Sequence, residues 1–570
     1  MKQCPECRRL YSDESLNFCL IDGEWLVAES SDDSPTAVFV PPIPDAEALT
    51  RQYADRENSR SVEPKADEAS GAQTGISYPN RRWLLFAFVA AAVLIPALLL
   101  SYRYLPRAAA DQTINSIAVL PFENTSGDAN AEYISDGITE SLINSLSQLP
   151  NVKVISRASV FRYKGDETDL AKIANDLGVL SIMTGRVVER DGKLDINVNL
   201  TDTSNGTNLW GQRFIRDASD IFVIQDEIAR QVTDSLRVRL SGTQQDKITK
   251  RYTTDPEAYR LYLQGRYLFN NFSEENLTKA IQYFDQAVAA DPDYALAYAA
   301  RSDCYMQLGD LSLSMAEAMS KARHDSTTAL AIDPDQVEAR TVQAEIKFQF
   351  DWDFLESEKD FKAAIASNPN YAESHHQYAW YLAMIGKEDE SVAEMKIAQQ
   401  LDPVNPAISL DTCLPDSFAR RWERCRDQSR ATLEMFPNFY TAHMTLGTSL
   451  SNLGEQSAGI EELMKAVAIE HTPHLVGTLG YYCAKAGRKD DARKALAELE
   501  DMSKHRFVAS YWMAAVHVGL GENDEAFTWL EKAYQERSWW LVFLKMDPMM
   551  ESLHSDPRYA DLIRRIGYPA

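Results

Sequence analysis

Three cysteines and one aspartate near the N-terminus are the residues whose types and spacing best suit metal chemistry. Cys4 and Cys7 form a CxxC pair, and Cys19 follows in the segment FCLIDG, which also contains Asp22. A hairpin between the two segments would bring three thiolates and one carboxylate together, a donor set that gives Zn²⁺ a closed tetrahedral site. Residues 1–27 hold too few apolar side chains to fold alone, so the metal would supply the folding energy. The sequence therefore predicts structural zinc.

The spacing resembles a zinc ribbon of the CPxC…FCxxCG type, in which a fourth cysteine stands where this chain has Asp22. This departure leaves the fourth ligand open between Asp22 and water, and three reduced thiols without metal are the other alternative. A redox CxxC pair is typical of a βαβ unit, and no such pattern surrounds this one. Because acidic residues outnumber basic ones here, the pattern favours a structural or protein-interaction module over a nucleic-acid reader.

The composition of the whole chain sets the context for this module. Among 570 residues, 58 are Lys or Arg and 84 are Asp or Glu, which gives a net charge of −26. Such an acidic balance argues against nucleic acid as a partner, because phosphate binding needs clustered positive charge. Seven cysteines are too few for a disulfide scaffold in a chain of this length. The length itself predicts several domains.

Residues 83–102, WLLFAFVAAAVLIPALLLSY, contain no charged side chain. As a helix they would span about 30 Å, the thickness of a bilayer core, with Trp83 and Tyr102 at its two interfaces. We expect one uncleaved transmembrane helix in a bacterial inner membrane. Arginines flank it equally on both sides, so charge does not set its orientation. The thiols favour a reducing compartment, which places the N-terminus in the cytoplasm and the C-terminal domains outside it.

A polar segment and an α/β domain lie on either side of this helix. Residues 28–80 are rich in Ser, Pro, Asp and Glu without periodicity, which predicts a disordered linker. Over residues 113–242, short apolar runs alternate with helical stripes, and the sequence Arg-Asp-Gly-Lys at 190–193 predicts a β-hairpin. The pattern predicts an open α/β layer structure. The first strand–loop–helix has no GxGxxG or GxxxxGK[ST] motif, and its acidic residues, Asp136 among them, favour a solvated face over a phosphate site.

Several stretches of this domain resemble the TolB amino-terminal-like domain of bacterial signalling proteins. They include SIAVLPFENTSGDANAEYISDGITESLINSLSQL, VKVISRASVFRYKG and IFVIQDEIARQV. The resemblance implies a domain that lies beyond a membrane anchor, often ahead of tetratricopeptide repeats, and it establishes no enzymatic activity for this domain. Some relatives carry a kinase, cyclase or winged-helix output on the cytosolic side.

The C-terminal half has an internal repeat. Prolines at 292, 334, 369, 403 and 437 are spaced by 42, 35, 34 and 34 residues, close to the 34-residue tetratricopeptide period. Small residues recur at positions where paired helices approach, and the resemblance to tetratricopeptide (TPR) repeats predicts an all-α solenoid of about eight repeats over residues 255–540. Residues 541–570 resemble a terminal cap. We expect Trp539 and Trp540 to cover the last repeat; a ligand-binding aromatic pair is the alternative.

These features favour a non-enzymatic, single-pass membrane protein that binds protein or peptide partners in signalling or envelope assembly. An acidic groove in the solenoid would favour Lys/Arg-rich partners. The sequence lacks kinase motifs, and no catalytic residues stand out. A receptor-type regulator of a cyclase or kinase pathway and a membrane-tethered transcription regulator are the alternatives. The linear sequence does not assign residues to the groove, nor does it identify the partner or the oligomeric state.

Overall fold

A computed structural model describes most of the chain after residue 113 and the backbone of three short strands before it. The chain divides into two units, Met1–Pro106 and Arg107–Ala570. The described residues of the second unit are 114–126, 132–165, 169–236, 238, 248, 250–271, 273–309 and 313–569.

In the first unit, three two-residue strands form a small antiparallel sheet. Strand β1 (Lys2–Gln3) pairs with β2 (Leu10–Tyr11) on one side and with β3 (Val27–Ala28) on the other. The predicted zinc ligands, the linker and the apolar segment 83–102 lie outside the described residues. Among the residues that are described, no helix is both long enough and apolar enough to cross a membrane.

The second unit begins with a mixed sheet in the order β6-β4-β7-β8-β9, with β5 pairing to β7. Strand β4 lies between β6 and β7 and is parallel to both, whereas β7, β8 and β9 form an antiparallel meander. Asp191 and Gly192 both adopt positive φ in the tight turn between β7 and β8, as the sequence predicts. The strands are Ser116–Val119 (β4), Glu123–Asn124 (β5), Lys153–Val154 (β6), Ser181–Arg190 (β7), Lys193–Asp202 (β8) and Thr207–Asp217 (β9).

Four helices accompany this sheet and bury their apolar stripes. Helix α3 ends at Gly178, whose left-handed conformation provides its C-cap. Asp136 in α1, for which the sequence pattern favours a solvated face, is instead buried. Its carboxylate lies 2.6 Å from Nζ of Lys164, and this ion pair offsets the cost of burying the charge. The helices are Glu132–Ser147 (α1), Arg157–Val160 (α2), Leu170–Leu177 (α3) and Ile221–Ser235 (α4).

Within the described part of residues 256–535, helices pair into eight consecutive hairpins. Small residues allow the two helices of a hairpin to approach: a Cβ on Gly265 would lie only 2.5 Å from the ring of Phe284. The hairpins consist of Pro256–Asn270 (α5) and Glu274–Ala290 (α6), Ala295–Leu308 (α7) and Met315–Ile332 (α8), Val337–Ile346 (α9) and Phe354–Ser367 (α10), Ala372–Met384 (α11) and Glu388–Leu401 (α12), Pro406–Asp411 (α13) with Leu414–Phe418 (α14) and Trp422–Met435 (α15), Tyr440–Asn452 (α16) and Gln456–Ile469 (α17), Pro473–Lys485 (α18) and Lys489–Met502 (α19), and Ser510–Leu520 (α20) and Asn523–Gln535 (α21).

Two hairpins depart from the regular pattern. In the fifth, the first helix is broken into α13 and α14, and Pro415 lies in the first turn of α14, where it needs no backbone donor. In the third, α9 continues into a π-helical turn, Lys347–Asp351, and Trp352 follows with a φ of 59°. The cysteines at 304, 413, 425 and 483 are buried free thiols, as expected for small core residues.

The C-terminal segment, residues 539–569, packs against several first helices rather than against the last hairpin alone. It consists of two 3₁₀ turns, Trp539–Phe543 and Pro548–Leu553, and helix α22 (Pro557–Ile566). The ring centroid of Trp540 lies 4.6 Å from Trp512 in α20 and 5.6 Å from His474 in α18. Tyr568 stacks on Phe354 in the third hairpin at 5.4 Å.

The α/β region lies along a row of turns between hairpins. The amide of Asn368 donates to Oγ of Ser147 at 2.8 Å, and Oγ of Ser159 donates to Asp402 at 2.5 Å. Arg162 lies over the Phe436 ring, 4.2 Å from its centroid. Residues 250–253, which belong to the segment that joins the α/β region to the repeats, bind the turns after the first two hairpins. The hydroxyl of Thr253 donates to Asp291, and Nζ of Lys250 donates to Asp333. Five consecutive turns are therefore engaged.

Candidate functional site

One position repeats along the first helices of the first four hairpins. Each of these helices has a buried small residue where it meets its partner helix, and the next residue is partly exposed. Asp303 and Glu345 are 42 residues apart, as are Pro292 and Pro334, so they occupy equivalent positions. The full series is Arg266, Asp303, Glu345 and Trp380. In a stack of such hairpins, equivalent residues of the first helices form one continuous concave surface.

Both ends of this series are covered by other parts of the chain. At the first end, Nε of Arg266 lies 2.6 Å from Oε1 of Glu140 in helix α1. At the other end, the ring of Trp380 packs edge-on against Phe543 of the C-terminal segment, with centroids 5.7 Å apart. Asp303 and Glu345 lie between these covered positions. We call the surface formed by Asp303, Glu345 and the neighbouring Glu373 the acidic groove.

Neither central carboxylate forms an ion pair within the described part of the chain. The side chain of Glu345 forms no hydrogen bond there, and Asp303 accepts only a long 3.5 Å hydrogen bond from Gln307. Arg266 and His376 favour the charged forms of Asp303 and Glu345, respectively, but burial outweighs this attraction. Burial raises the pKa of Asp303 to about 6. Burial, together with repulsion from Glu373 and Asp303, raises the pKa of Glu345 well above its usual value. Asp303 and Glu345 thus ionise less readily than free carboxyl groups, and a cationic ligand beside them would favour their charged forms.

His376 borders the groove and ties Glu373 to the next hairpin. Burial opposes its charged form, yet hydrogen bonds to Asp411 and Glu373 raise its pKa to about 10. Its Nε2 lies 2.9 Å from Oδ2 of Asp411, which also accepts from the indole of Trp380 at 2.9 Å. His376 is therefore cationic at neutral pH. It offsets Asp411 and part of the charge of Glu373, and it acts on Glu345 without forming an ion pair with it.

The structure does not test the metal site that the sequence predicts. Cys4, Cys7, Cys19 and Asp22 lie outside the described residues. Within the part of the chain that the structure does describe, no three His, Cys, Asp or Glu side chains are grouped so that they could hold a metal ion.

The sequence alone predicts only the positions from which the acidic groove is built. Each of the first four first helices has a small residue where it contacts its partner helix, and the residue that follows it belongs to the concave surface. The small residues are Gly265, Ser302, Ala344 and Ala379. Which of these positions stay open depends on Glu140 and Phe543, which are distant in sequence. No periodicity reveals that dependence.

Two segments of the chain match a family model described as "Tetratricopeptide repeat", residues 272–344 and 478–539. Together with the eight hairpins in the described residues, this match shows that the chain contains TPR repeats. Proteins built from these repeats bind protein or peptide partners.

Two kinds of curated protein share longer stretches with this chain. "Putative adenylate cyclase 3" of Rhizobium meliloti is 37% identical over 187 residues, which cover 33% of this chain and 32% of that protein. "Transcriptional regulator HilA" of Salmonella typhimurium is 20% identical over 302 residues, 52% of this chain and 53% of the regulator. The chain thus spans about a third of one relative and about half of the other.

Solved TPR structures also align with the chain. A thermophilic TPR protein of Thermus thermophilus, TTC0263, is 18% identical with a TM-score of 0.29, and the alignment covers 34% of this chain and 98% of that protein. Yeast Tom70 is 12% identical with a TM-score of 0.35 over 61% of this chain and 82% of that chain.

Proposed function

We propose that this chain is a non-enzymatic interaction protein whose acidic groove binds Lys/Arg-rich peptide segments. One observation carries this proposal: Asp303 and Glu345 are unpaired at the open middle of a series whose outer members, Arg266 and Trp380, already have partners. Charge complementarity of this kind speeds encounter with a basic segment and disfavours acidic competitors.

The carboxyl groups of the acidic groove lie on three successive first helices, as a ligand that runs along the solenoid would need. The acidic groove is formed by the first helices of the second, third and fourth hairpins, which are α7, α9 and α11. Two glutamine side chains lie beside the carboxylates, and each donates from its amide to one of them. Gln307 on α7 donates to Asp303 at 3.5 Å, and Gln377 on α11 donates to Glu373 at 2.7 Å.

A binding experiment on the full chain tests this proposal. We expect a Lys/Arg-rich peptide to bind in a salt-dependent way, and a peptide of the same length with Glu in place of Lys and Arg to fail. The double variant Asp303→Asn/Glu345→Gln should weaken binding at least about tenfold, because each charge-assisted contact contributes about 1.5 to 3 kcal/mol.

Matched controls separate the groove from general acidity. Asp427→Asn and Glu356→Gln remove the same two charges from exposed positions outside the groove. If these control substitutions weaken the peptide as much as the groove substitutions do, net charge rather than the groove governs binding, and the proposal is wrong.

We further propose that the protein is held by a single membrane helix at residues 83–102, with a zinc ribbon at its N-terminus, and that it serves signalling or envelope assembly. The uncharged segment and the cysteine spacing support these two features. We assign the α/β region a TolB amino-terminal-like fold, because several of its sequence stretches resemble that family.

A regulatory role in a cyclase pathway is the second candidate. The observation that favours it is the 37% identity over 187 residues with a protein named putative adenylate cyclase. In that case, the chain acts as the sensing half of a signalling system, and its own lack of catalytic motifs is expected. Deletion of the gene should then change the cellular level of cyclic AMP, and an unchanged level would remove this candidate.

A further inference from the structure

A cavity of about 100 Å³ lies between the α/β region and the first three hairpins. Helices α1 and α4 form one wall, and the first helices α5 and α9 with the turns beside them form the other. It has room for a molecule of a few non-hydrogen atoms. The lining residues on which the inference rests are Tyr259, Tyr262, Tyr294, Gln336, Glu338 and Tyr371.

Two buried polar groups in this wall have unused hydrogen-bonding capacity. Tyr294 is fully buried, and its hydroxyl has no hydrogen-bond partner in the described structure. Gln336 is 2% exposed; its Oε1 caps helix α9 by accepting from the backbone N–H of Glu338 at 2.9 Å, while its Nε2 has no partner of normal geometry. Buried polar atoms are nearly always paired, so unpaired donors at a cavity wall mark the place of a missing acceptor.

One charged side chain of the cavity wall, Glu338, also differs from its neighbours. The other charged side chains there are paired: Glu140 with Arg266, Lys250 with Asp333, and Arg251 with Asp226. Asp335, which also lines the cavity, is not free either. Glu338 forms no ion pair among the described residues. Burial raises its pKa, although the charge of Arg266 and the side chain of Gln336 act in the opposite direction. The carboxyl group of Glu338 thus has no cation in direct contact, and an ammonium group beside it would favour its ionised form.

Tyrosine rings complete the surroundings of Glu338. Five tyrosines line the cavity, and the centroids of Tyr262 and Tyr294 are 5.2 Å apart. The face of an aromatic ring attracts a cation, and this attraction grows where water is excluded. A carboxylate among tyrosine rings selects an ammonium group over a neutral or anionic one.

From this geometry we infer that the cavity binds a small primary ammonium compound that carries an oxygen acceptor on a short carbon chain. Glu338 and the tyrosine rings hold the ammonium group. The Tyr294 hydroxyl and the Gln336 amide donate to the oxygen. The site bridges the α/β region and the repeats, so an occupant stabilises their docking. It is separate from the acidic groove and does not rest on the proposed peptide binding.

Calorimetric titration of the full chain with ethanolamine tests the inference. Ethanolamine has both groups on a two-carbon chain, and ethylene glycol is its neutral counterpart of nearly the same size. We expect saturable binding of ethanolamine, and binding of ethylene glycol weaker by about tenfold or more, since only the former pairs with Glu338. If ethanolamine gives no saturable binding, ordered water alone fills the cavity and the inference is overturned.

Two variants locate the binding. Tyr294→Phe removes an unpaired hydroxyl, so the melting temperature should stay the same or rise while ethanolamine affinity falls by about tenfold. Glu338→Gln should abolish the preference for ethanolamine over ethylene glycol. Tyr305→Phe, which lies outside the cavity lining, should bind as the unmodified chain does. Binding that survives both cavity substitutions at full strength contradicts the inference.

Discussion

The carboxylate of Glu140 lies 2.6 Å from Nε of Arg266, and this ion pair joins helix α1 of the α/β region to helix α5 of the first repeat. Arg157 lies 3.0 Å from the other carboxylate oxygen, and Asn270 donates to that oxygen at 3.3 Å. The side chain of Glu140 is only 8% exposed. One buried acid is thus shared by two arginines from two structural regions, and it closes the first end of the concave surface.

Glu140→Gln should destabilise the chain by about 3 kcal/mol, because it leaves two buried guanidinium groups without a counter-charge. Burial opposes ionisation of Glu140, but Arg266 and Arg157 hold its pKa below the usual value. Stability from this group is therefore present above pH 4.5 and is lost as the pH falls through the lowered pKa. Chemical denaturation measures the loss, and hydrogen exchange should rise in α1 and α5. Glu257→Gln breaks an exposed pair with Arg260 and should cost less than about 1 kcal/mol.

Asp303→Asn should stabilise the folded chain at pH 7 by about 1 to 2 kcal/mol. Burial raises the pKa of Asp303 from 3.8 to about 6, so the folded state binds the proton more tightly than the unfolded state does. Stability of the unmodified chain then decreases as the pH rises from about 4 to 6, and the asparagine variant lacks this decrease. Thermal denaturation of both proteins across this range checks the sign. A gain of equal size at pH 3 would show that charge is not its cause.

Leu544→Ala should release the C-terminal segment from the concave surface. Leu544 is fully buried, and its truncation should cost about 2 to 5 kcal/mol. Limited proteolysis should then cut within residues 539–569 faster than before, and the fluorescence of Trp540 should shift to longer wavelength. Leu355→Ala, at a position that is 64% exposed, is the control and should leave both signals unchanged.

Metal analysis of the purified full chain should find about one zinc per molecule. Replacement of Cys4 and Cys7 by Ser should remove it, since a closed site needs its thiolate ligands. Asp22→Ala should weaken retention of the metal against a chelator if this carboxylate is the fourth ligand. Unmodified protein that contains no zinc would contradict the prediction.

A reporter fused to the C-terminus should show the orientation of the predicted membrane helix. Alkaline phosphatase folds only outside the cytoplasm, so it should be active in this fusion. A fusion after residue 80 should be inactive. The reverse pattern of activities would place the repeats in the cytoplasm.

The sequence predicted the elements of the fold because their signals are local. The spacing of the five prolines follows from the length of a helical hairpin, and this length does not depend on contacts with distant parts of the chain. The turn at Asp191-Gly192 is likewise specified by residues that adopt positive φ at little cost. Hydrophobic periodicity indicated the order of strands and helices after residue 113 for the same reason.

What only the tertiary structure decided is which surfaces remain open. Asp303 and Arg266 occupy equivalent positions, yet of the two only Arg266 forms an ion pair in the described structure, because Glu140 approaches it from more than a hundred residues away in sequence. Trp380 is covered by Phe543 for a similar reason. The repeat pattern thus determined where a concave surface would form. Long-range docking of the α/β region and the C-terminal segment determined that its exposed middle is acidic.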